Sequence, residues 1–131
     1  MIRDRDYQTL ARVRAELRAF AHFTEQSTGG AGLTAQQHQI LLALRAAEGF
    51  TLTIGQLART MLLKPHSISG MADRLQTLGL VERVPGQQDR RRIHLRLTNR
   101  ANAVLASLGK VHKAELRRIR PLLTALLAEL D

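Results

Sequence analysis

Cysteine is missing from all 131 residues, which excludes disulfides, thiolate nucleophiles, cysteine-based zinc sites and thiol redox sensing by this chain. Such a composition suits a reducing cytosol. Aromatic residues are nearly as scarce: no Trp, one Tyr and three Phe leave too few ring faces for the stacking platforms of single-strand binders. No stretch approaches the ~18 apolar residues of a membrane span, and Met1-Ile2-Arg3-Asp4-Arg5-Asp6 has no apolar run behind a basic start. Neither secretion nor membrane insertion is expected. Catalytic signatures are missing too. There is no Gly-x-Ser-x-Gly elbow and no closely spaced acid pair beside a histidine. Gly29-Gly30-Ala31-Gly32 follows a helical pattern and lacks the Lys-Ser/Thr of a phosphate loop. No His-x3-His pair offers zinc-ligand spacing. The expectation is a protein that is not an enzyme and carries no cofactor or metal.

What the chain has in excess is positive charge. Lys and Arg number 20 against 11 Asp and Glu, a formal +9, and a polyanion is the simplest partner for that surplus. Nucleic acid is favoured over an acidic protein or a membrane surface. The length suits a single domain that folds without staples. Cations concentrate at Asp89-Arg90-Arg91-Arg92, between Gly79-Leu80-Val81-Glu82-Arg83-Val84-Pro85 and Ile93-His94-Leu95-Arg96-Leu97-Thr98. Ile93, Leu95 and Leu97 alternate with Arg92, His94 and Arg96, the period of two that marks a strand with one wet face. Two short strands thus flank a projecting tip of guanidiniums, which phosphates or acidic partners would hold.

Residues 54 to 79, just before this hairpin, read as two short amphipathic helices. Thr53 caps the first, whose inner face is Ile54, Leu57, Ala58 and Met61. After a turn at Leu62-Leu63-Lys64, Pro65 suits a first helical position. Ile68, Met71, Ala72, Leu75 and Leu78 mark the core side of the second helix, and Gly79 caps it. Helix, turn, helix and basic hairpin in that order make a winged helix. Thr51-Leu52-Thr53 could add a bridge to the hairpin's edge. Upstream, Leu10, Val13, Leu17, Phe20 and Ala21 give an amphipathic helix over roughly 4 to 27, which the glycines from Gly29 onward are expected to end. Thr34 and Gln37 form a capping box for a helix with Ile40, Leu41 and Leu44 buried. From Thr98, residues Ala101, Val104, Leu105, Leu108, Val111, Leu116 and Ile119 predict a helix of about 20 residues that Pro121 interrupts before Leu122, Leu123, Leu126, Leu127 and Leu130. This leucine-rich tail and the first helix together leave apolar stripes exposed at both chain ends, a mark of a subunit interface.

Opposite its apolar stripe, the second helix of the pair carries His66, Ser67, Ser69, Gly70, Asp73, Arg74 and Gln76. A helix entering the major groove needs such a mixture, because Ser and Gly allow close approach while Arg and His reach base edges or phosphates. At the hairpin tip, Asp89 lies two residues before Arg91, close enough to hold the guanidinium in a fixed pose. A braced Arg suits a narrow, A·T-rich minor groove, where the negative potential is strongest.

At these residues the chain resembles the MarR family of bacterial transcription regulators. Asp89-x-Arg91, five residues and then Leu97-Thr98 is similar to that family's wing signature. Leu33-Thr34-x-x-Gln37, Ile54-Gly55-Gln56-Leu57-Ala58, Asp73-Arg74-Leu75 and Gly79-Leu80-Val81 extend the likeness over residues 33 to 108. The flanking helices match by pattern. The fold implied is mainly α, of the α+β kind. It is a single chain, 1–131, with a winged helix-turn-helix DNA-binding region at 33–99 (recognition helix 65–78, wing 84–97) and helices at 4–32 and 100–131 forming a dimerisation domain.

The resemblance further implies a homodimer on double-stranded DNA, in the cytoplasm on the bacterial nucleoid. Arg91 would be the minor-groove arginine and Asp89 its brace, with Ser67, Ser69, Gly70 and Arg74 on the recognition face. Lys64, His66, Arg90 and Arg92 would contact phosphates, which position a protein without reading sequence. The last helix looks short for the family, so a smaller interlock is expected. Family members commonly bind a small aromatic or phenolic effector between the dimer helices and the winged region, which makes His22, Phe23, His38 and His112 the candidate pocket residues. The reading is a repressor on a pseudo-palindromic operator, with half-sites ~10 to 11 base pairs apart. Two rivals stay open: a winged-helix module that docks an acidic protein, and a nucleoid-type binder of low specificity.

Overall fold

The computed structural model describes residues 1–86, 88, 89 and 91–130. Its order is α1 (Asp4–Gly30), α2 (Ala35–Ala46), a 3-10 turn (Glu48–Phe50), β1 (Thr51–Thr53), α3 (Ile54–Met61), α4 (Pro65–Thr77), β2 (Val81–Pro85), β3 (Ile93–Leu97) and α5 (Asn99–Ala128). The chain divides into two units, Leu33–Ser107 and the pair Met1–Gly32 with Leu108–Asp131.

Local signals build the first of these units. Thr34 and Thr53 each accept from the N–H of a glutamine three residues on, and those glutamines, Gln37 and Gln56, accept from the threonine N–H in return. Both helices therefore start where two otherwise orphaned donors are satisfied at once. α3 stops at Leu62, which takes the left-handed conformation at φ 56°. α4 opens on Pro65 and closes with a Schellman pair, Leu80 N–H to the Leu75 carbonyl at 3.0 Å and Gly79 N–H to Gln76 at 2.9 Å. Ile40, Leu41, Leu44, Leu57, Ile68, Ala72, Leu75 and Leu95 are wholly buried. The sheet runs β1-β3-β2, antiparallel throughout, with Leu52 opposite Leu95 and Glu82 opposite Arg96. Three residues thus give the hairpin a third strand.

Two positions expected to pack do not: Leu78 and Ile93 are each 43% exposed. Leu78 is the C-cap residue of α4, already leaving the helical stripe, and Ile93 sits at the tip end of β3 where the sheet has no further cover.

In the other unit, α1 and α5 run antiparallel, because Thr9 meets Glu129 and Phe23 meets His112. The Thr9 hydroxyl lies 2.7 Å from Glu129 Oε2, and the two rings contact edge to face at 6.3 Å. Thr9 and Thr28 are buried with Leu108, Ile119 and Leu126. Tyr7, Leu10, Leu17, Leu116, Leu122 and Leu127 remain exposed.

Both helices outlast the sequence expectation. α1 continues through Gly29 and Gly30 to stop only before Gly32, which has φ +80°. Thr28 is completely buried and its hydroxyl donates to the Glu25 carbonyl, while Ala31 and Gly32 close the last turn onto Thr28 and Gly29. That anchoring outweighs the roughly 1 kcal/mol cost of each helical glycine. α5 passes Pro121 without a break for 30 residues, so the last helix is neither interrupted nor confined to about 20. The proline leaves the Arg117 carbonyl without its helical donor. Burial of Ile119 before it and Leu126 after it holds both segments in one helix.

Candidate nucleic-acid interface

The hairpin sorts its arginines into two kinds. Near its stem, Arg96 stands directly across from Glu82 and donates from Nε at 2.8 Å and Nη2 at 2.6 Å to the same carboxylate oxygen. Arg83 on β2 reaches back to α4, with Nη2 2.8 Å from Asp73 Oδ1 and Nη1 2.7 Å from Gln76 Oε1. Its Nη2 also lies 3.4 Å from the Ser69 carbonyl. Both stem arginines are thereby neutralised, and Arg83 bolts the wing to the helix.

The tip differs. Arg91 has a side chain 96% exposed, and Arg92 is exposed as well. The Asp89 carboxylate does hold Arg91, though by another route than expected: Oδ1 accepts from the Arg91 backbone N–H at 3.0 Å, while the guanidinium Nε stays 3.9 Å away. A side chain two residues ahead is geometrically suited to its own turn's backbone. Asp89 therefore fixes where Arg91 leaves the loop and lets the guanidinium swing. Arg90 lies outside the described residues.

Gly86 sets the shape of this tip. Its N–H donates to the Arg92 carbonyl at 2.8 Å, and the Arg92 N–H donates to the Asp89 carbonyl at 3.1 Å. A Cβ at Gly86 would stand 2.6 Å from the Asp89 carbonyl oxygen and 3.1 Å from both the Arg92 oxygen and His94 Nε2. No side chain fits there. The loop can close over residue 86 only because it is glycine.

At the N-cap of α4 Lys64 is exposed, as are His66, Gly70 and Arg74 on the helix, with Ser67 and Ser69 half-buried. Asp73 and Gln76, which share that polar face, are engaged by Arg83. The open part of the face is thus narrower than the helical wheel suggests, running along His66, Ser67, Gly70 and Arg74. Sequence reasoning missed Arg83, Glu82 and Gly86. The Pro85-Gly86 pair was a readable turn signal, whereas the Arg83 contacts span up to fourteen residues and depend on how the hairpin lies on α4.

Of the candidate pocket residues, Phe23 and His112 meet in one unit, with His22 exposed on the same α1. Burial lowers the His112 pKa below the ordinary histidine value. His38 belongs to the other unit, where it is buried on α2. Among the described residues no cluster of His, Asp and Glu could hold a metal ion, and no helix is long and apolar enough to cross a membrane.

A helix-turn-helix pair followed by a hairpin that is bolted to the second helix defines a winged helix-turn-helix protein. The MarR family model matches residues 31–92. Residues of this chain are 34% identical over 80 positions to the HTH-type transcriptional regulator FarR of Neisseria gonorrhoeae, a stretch covering 61% of this chain and only about half, 53%, of that relative. The structure of AbsC, a MarR family transcriptional regulator from Streptomyces coelicolor, superposes with a TM-score of 0.80 at 28% identity, covering all of this chain and 90% of the other. A mutant MarR from E. coli complexed with operator DNA shares the fold at a TM-score of 0.68 and 22% identity, over 95% and 92% of the two chains. Residues 31–92 thus match the MarR family model, and the chain is similar over its length to a solved MarR family transcriptional regulator.

Proposed function

We propose that this protein regulates transcription by binding double-stranded DNA as a homodimer, as a repressor on a pseudo-palindromic operator. The observation that carries the reading is the contrast within the wing: the stem arginines are spent on Glu82 and Asp73, while Arg91 projects into solvent from a loop shaped by Gly86 and Asp89. A guanidinium presented in that way suits a narrow minor groove. Ser67, Ser69, Gly70 and Arg74 would then face the major groove, with Lys64, His66, Arg90 and Arg92 on flanking phosphates. Support for DNA as partner also comes from the MarR structure complexed with operator DNA.

The homodimer accounts for the apolar side chains that α1 and α5 leave open. A small aromatic effector held against Phe23 and His112 would act by favouring one dimer geometry over another. The test is selection of bound duplexes from a random pool, followed by binding titrations at two salt concentrations. An inverted repeat with half-sites about 10 to 11 base pairs apart is expected. Weak binding that ignores sequence and fades with salt would instead identify a nucleoid-type binder, and no binding to any duplex would leave a protein-docking module.

A further inference from the structure

Gly70 lies near the middle of the thirteen-residue α4. It is exposed, its φ is helical, and an added Cβ would meet nothing within 4 Å. Neither a left-handed backbone nor a close neighbour asks for glycine. At an open mid-helix position alanine is the better residue, since glycine sacrifices more chain entropy on folding. The reason for glycine must then come from outside the fold.

Helical spacing sets His66 and Ser67 one turn before Gly70 and Asp73 and Arg74 one turn after it. Asp73, ion-paired to Arg83 at 2.8 Å, fixes one side of this ring. Polar and charged side chains thus surround a spot of bare backbone about one methyl group deep. Gly109 on α5 is equally open, but its neighbours a turn away, Leu105, Ala106, His112 and Lys113, make no such ring. Among the groups that base pairs present in the major groove, the thymine C5 methyl alone is apolar and of that size. It would rest on the helix backbone while the rim bonded to neighbouring base edges.

We propose that Gly70 is a specificity-determining residue that seats a thymine methyl against the backbone of α4 in each half-site. The proposal rests on the DNA-binding reading above. Its test uses the full chain and a duplex selected by the wild-type protein, with each thymidine replaced in turn by 2′-deoxyuridine. Fluorescence anisotropy should show about a four-fold loss at one thymine per half-site, the equivalent of ~0.8 kcal/mol for one buried methyl-sized group. Gly70→Ala should melt at a higher temperature, bind the selected duplex roughly tenfold more weakly, and no longer distinguish thymidine from deoxyuridine at that position. A variant that keeps the wild-type affinity and methyl preference overturns the proposal. So does one that weakens every duplex alike, including random sequence, or one that melts lower and thereby shows that the fold needs the glycine. Wild-type protein that binds no duplex defeats the DNA-binding reading itself, a result that cannot be confused with the others.

Discussion

The unit Leu33–Ser107 hides Ile40, Leu41, Leu44, Leu57, Ile68, Leu75 and Leu95 completely, whereas α1 and the later turns of α5 leave Tyr7 61%, Leu17 55% and Leu127 55% exposed. Both regions draw on the same kind of amphipathic sequence. The first wraps α2, α3, α4 and a sheet around its leucines, so the main stripe of each helix finds a cover. The second has two antiparallel helices, and two helices can shield only the sides they turn toward each other. The buried threonines Thr9 and Thr28 show how little apolar interior that pair possesses. A region closed on itself and a region with open apolar sides should respond to mutation in different ways.

The largest effect is expected from Leu41→Ala. Emptying a fully buried position should lower unfolding free energy by about 2 to 5 kcal/mol, measured by urea denaturation, and by the same amount at every protein concentration. Leu127→Ala should change the stability of dilute protein by less than about 0.5 kcal/mol while weakening the rise of melting temperature with concentration. Equal losses from the two at low concentration would erase the distinction between the regions.

The tip and stem of the wing offer a second contrast. Arg91→Ala should lose about 1 to 3 kcal/mol of DNA affinity per half-site and flatten the salt dependence by roughly one phosphate contact, read from anisotropy titrations. Arg96→Ala, which removes a guanidinium already held by Glu82, should leave affinity nearly unchanged. If Arg96 matters as much as Arg91, charge alone governs binding and the geometry of the tip is irrelevant.

A smaller effect is expected where wing meets helix. Asp73→Asn removes the charge that Arg83 pairs with, yet Asp73 is largely exposed, and such pairs contribute no more than about 1 kcal/mol. Thermal melts should show a loss of that size or less which disappears in high salt. The hydrogen bonds from Arg83 to Gln76 and the Ser69 carbonyl should keep the wing seated. A loss that persists in high salt would mean that the pair acts by shaping the wing and not by charge.

What could be read in advance followed from spacing. Thr34 with Gln37, Pro65 and Gly79 placed the helix ends, and the alternation along Ile93 to Leu97 placed a strand, because capping and period are properties of adjacent residues. Even the three-residue β1 was legible from its neighbourhood. The errors came where distant contacts overrule local preference. Gly29 and Gly30 stay helical because Thr28 is buried, and Pro121 stays inside α5 because Ile119 and Leu126 are. Within the candidate site, the residue types at the wing tip and on α4 were evident. The bolt from Arg83 to Asp73 was not, since nothing in the chain between them signals that β2 returns to that helix.

The smallest expected effect concerns pH and again separates the two regions. Burial against α1, where its ring meets Phe23, lowers the His112 pKa, so the folded chain resists a proton that the unfolded chain accepts at the ordinary histidine value near 6.5. Between those two values the unfolded state carries more protons, and stability therefore falls with decreasing pH through that window and is fully present above it. His112→Phe keeps an aromatic ring beside Phe23 and removes the titration. Melting temperature followed from pH 8 to 5 should drop less in this variant than in the wild type, with the remaining histidines cancelling in the difference. Parallel curves, or a wild type that gains on the variant as acid is added, would mean that His112 is not desolvated and that the α1–α5 pair is more open than its geometry indicates.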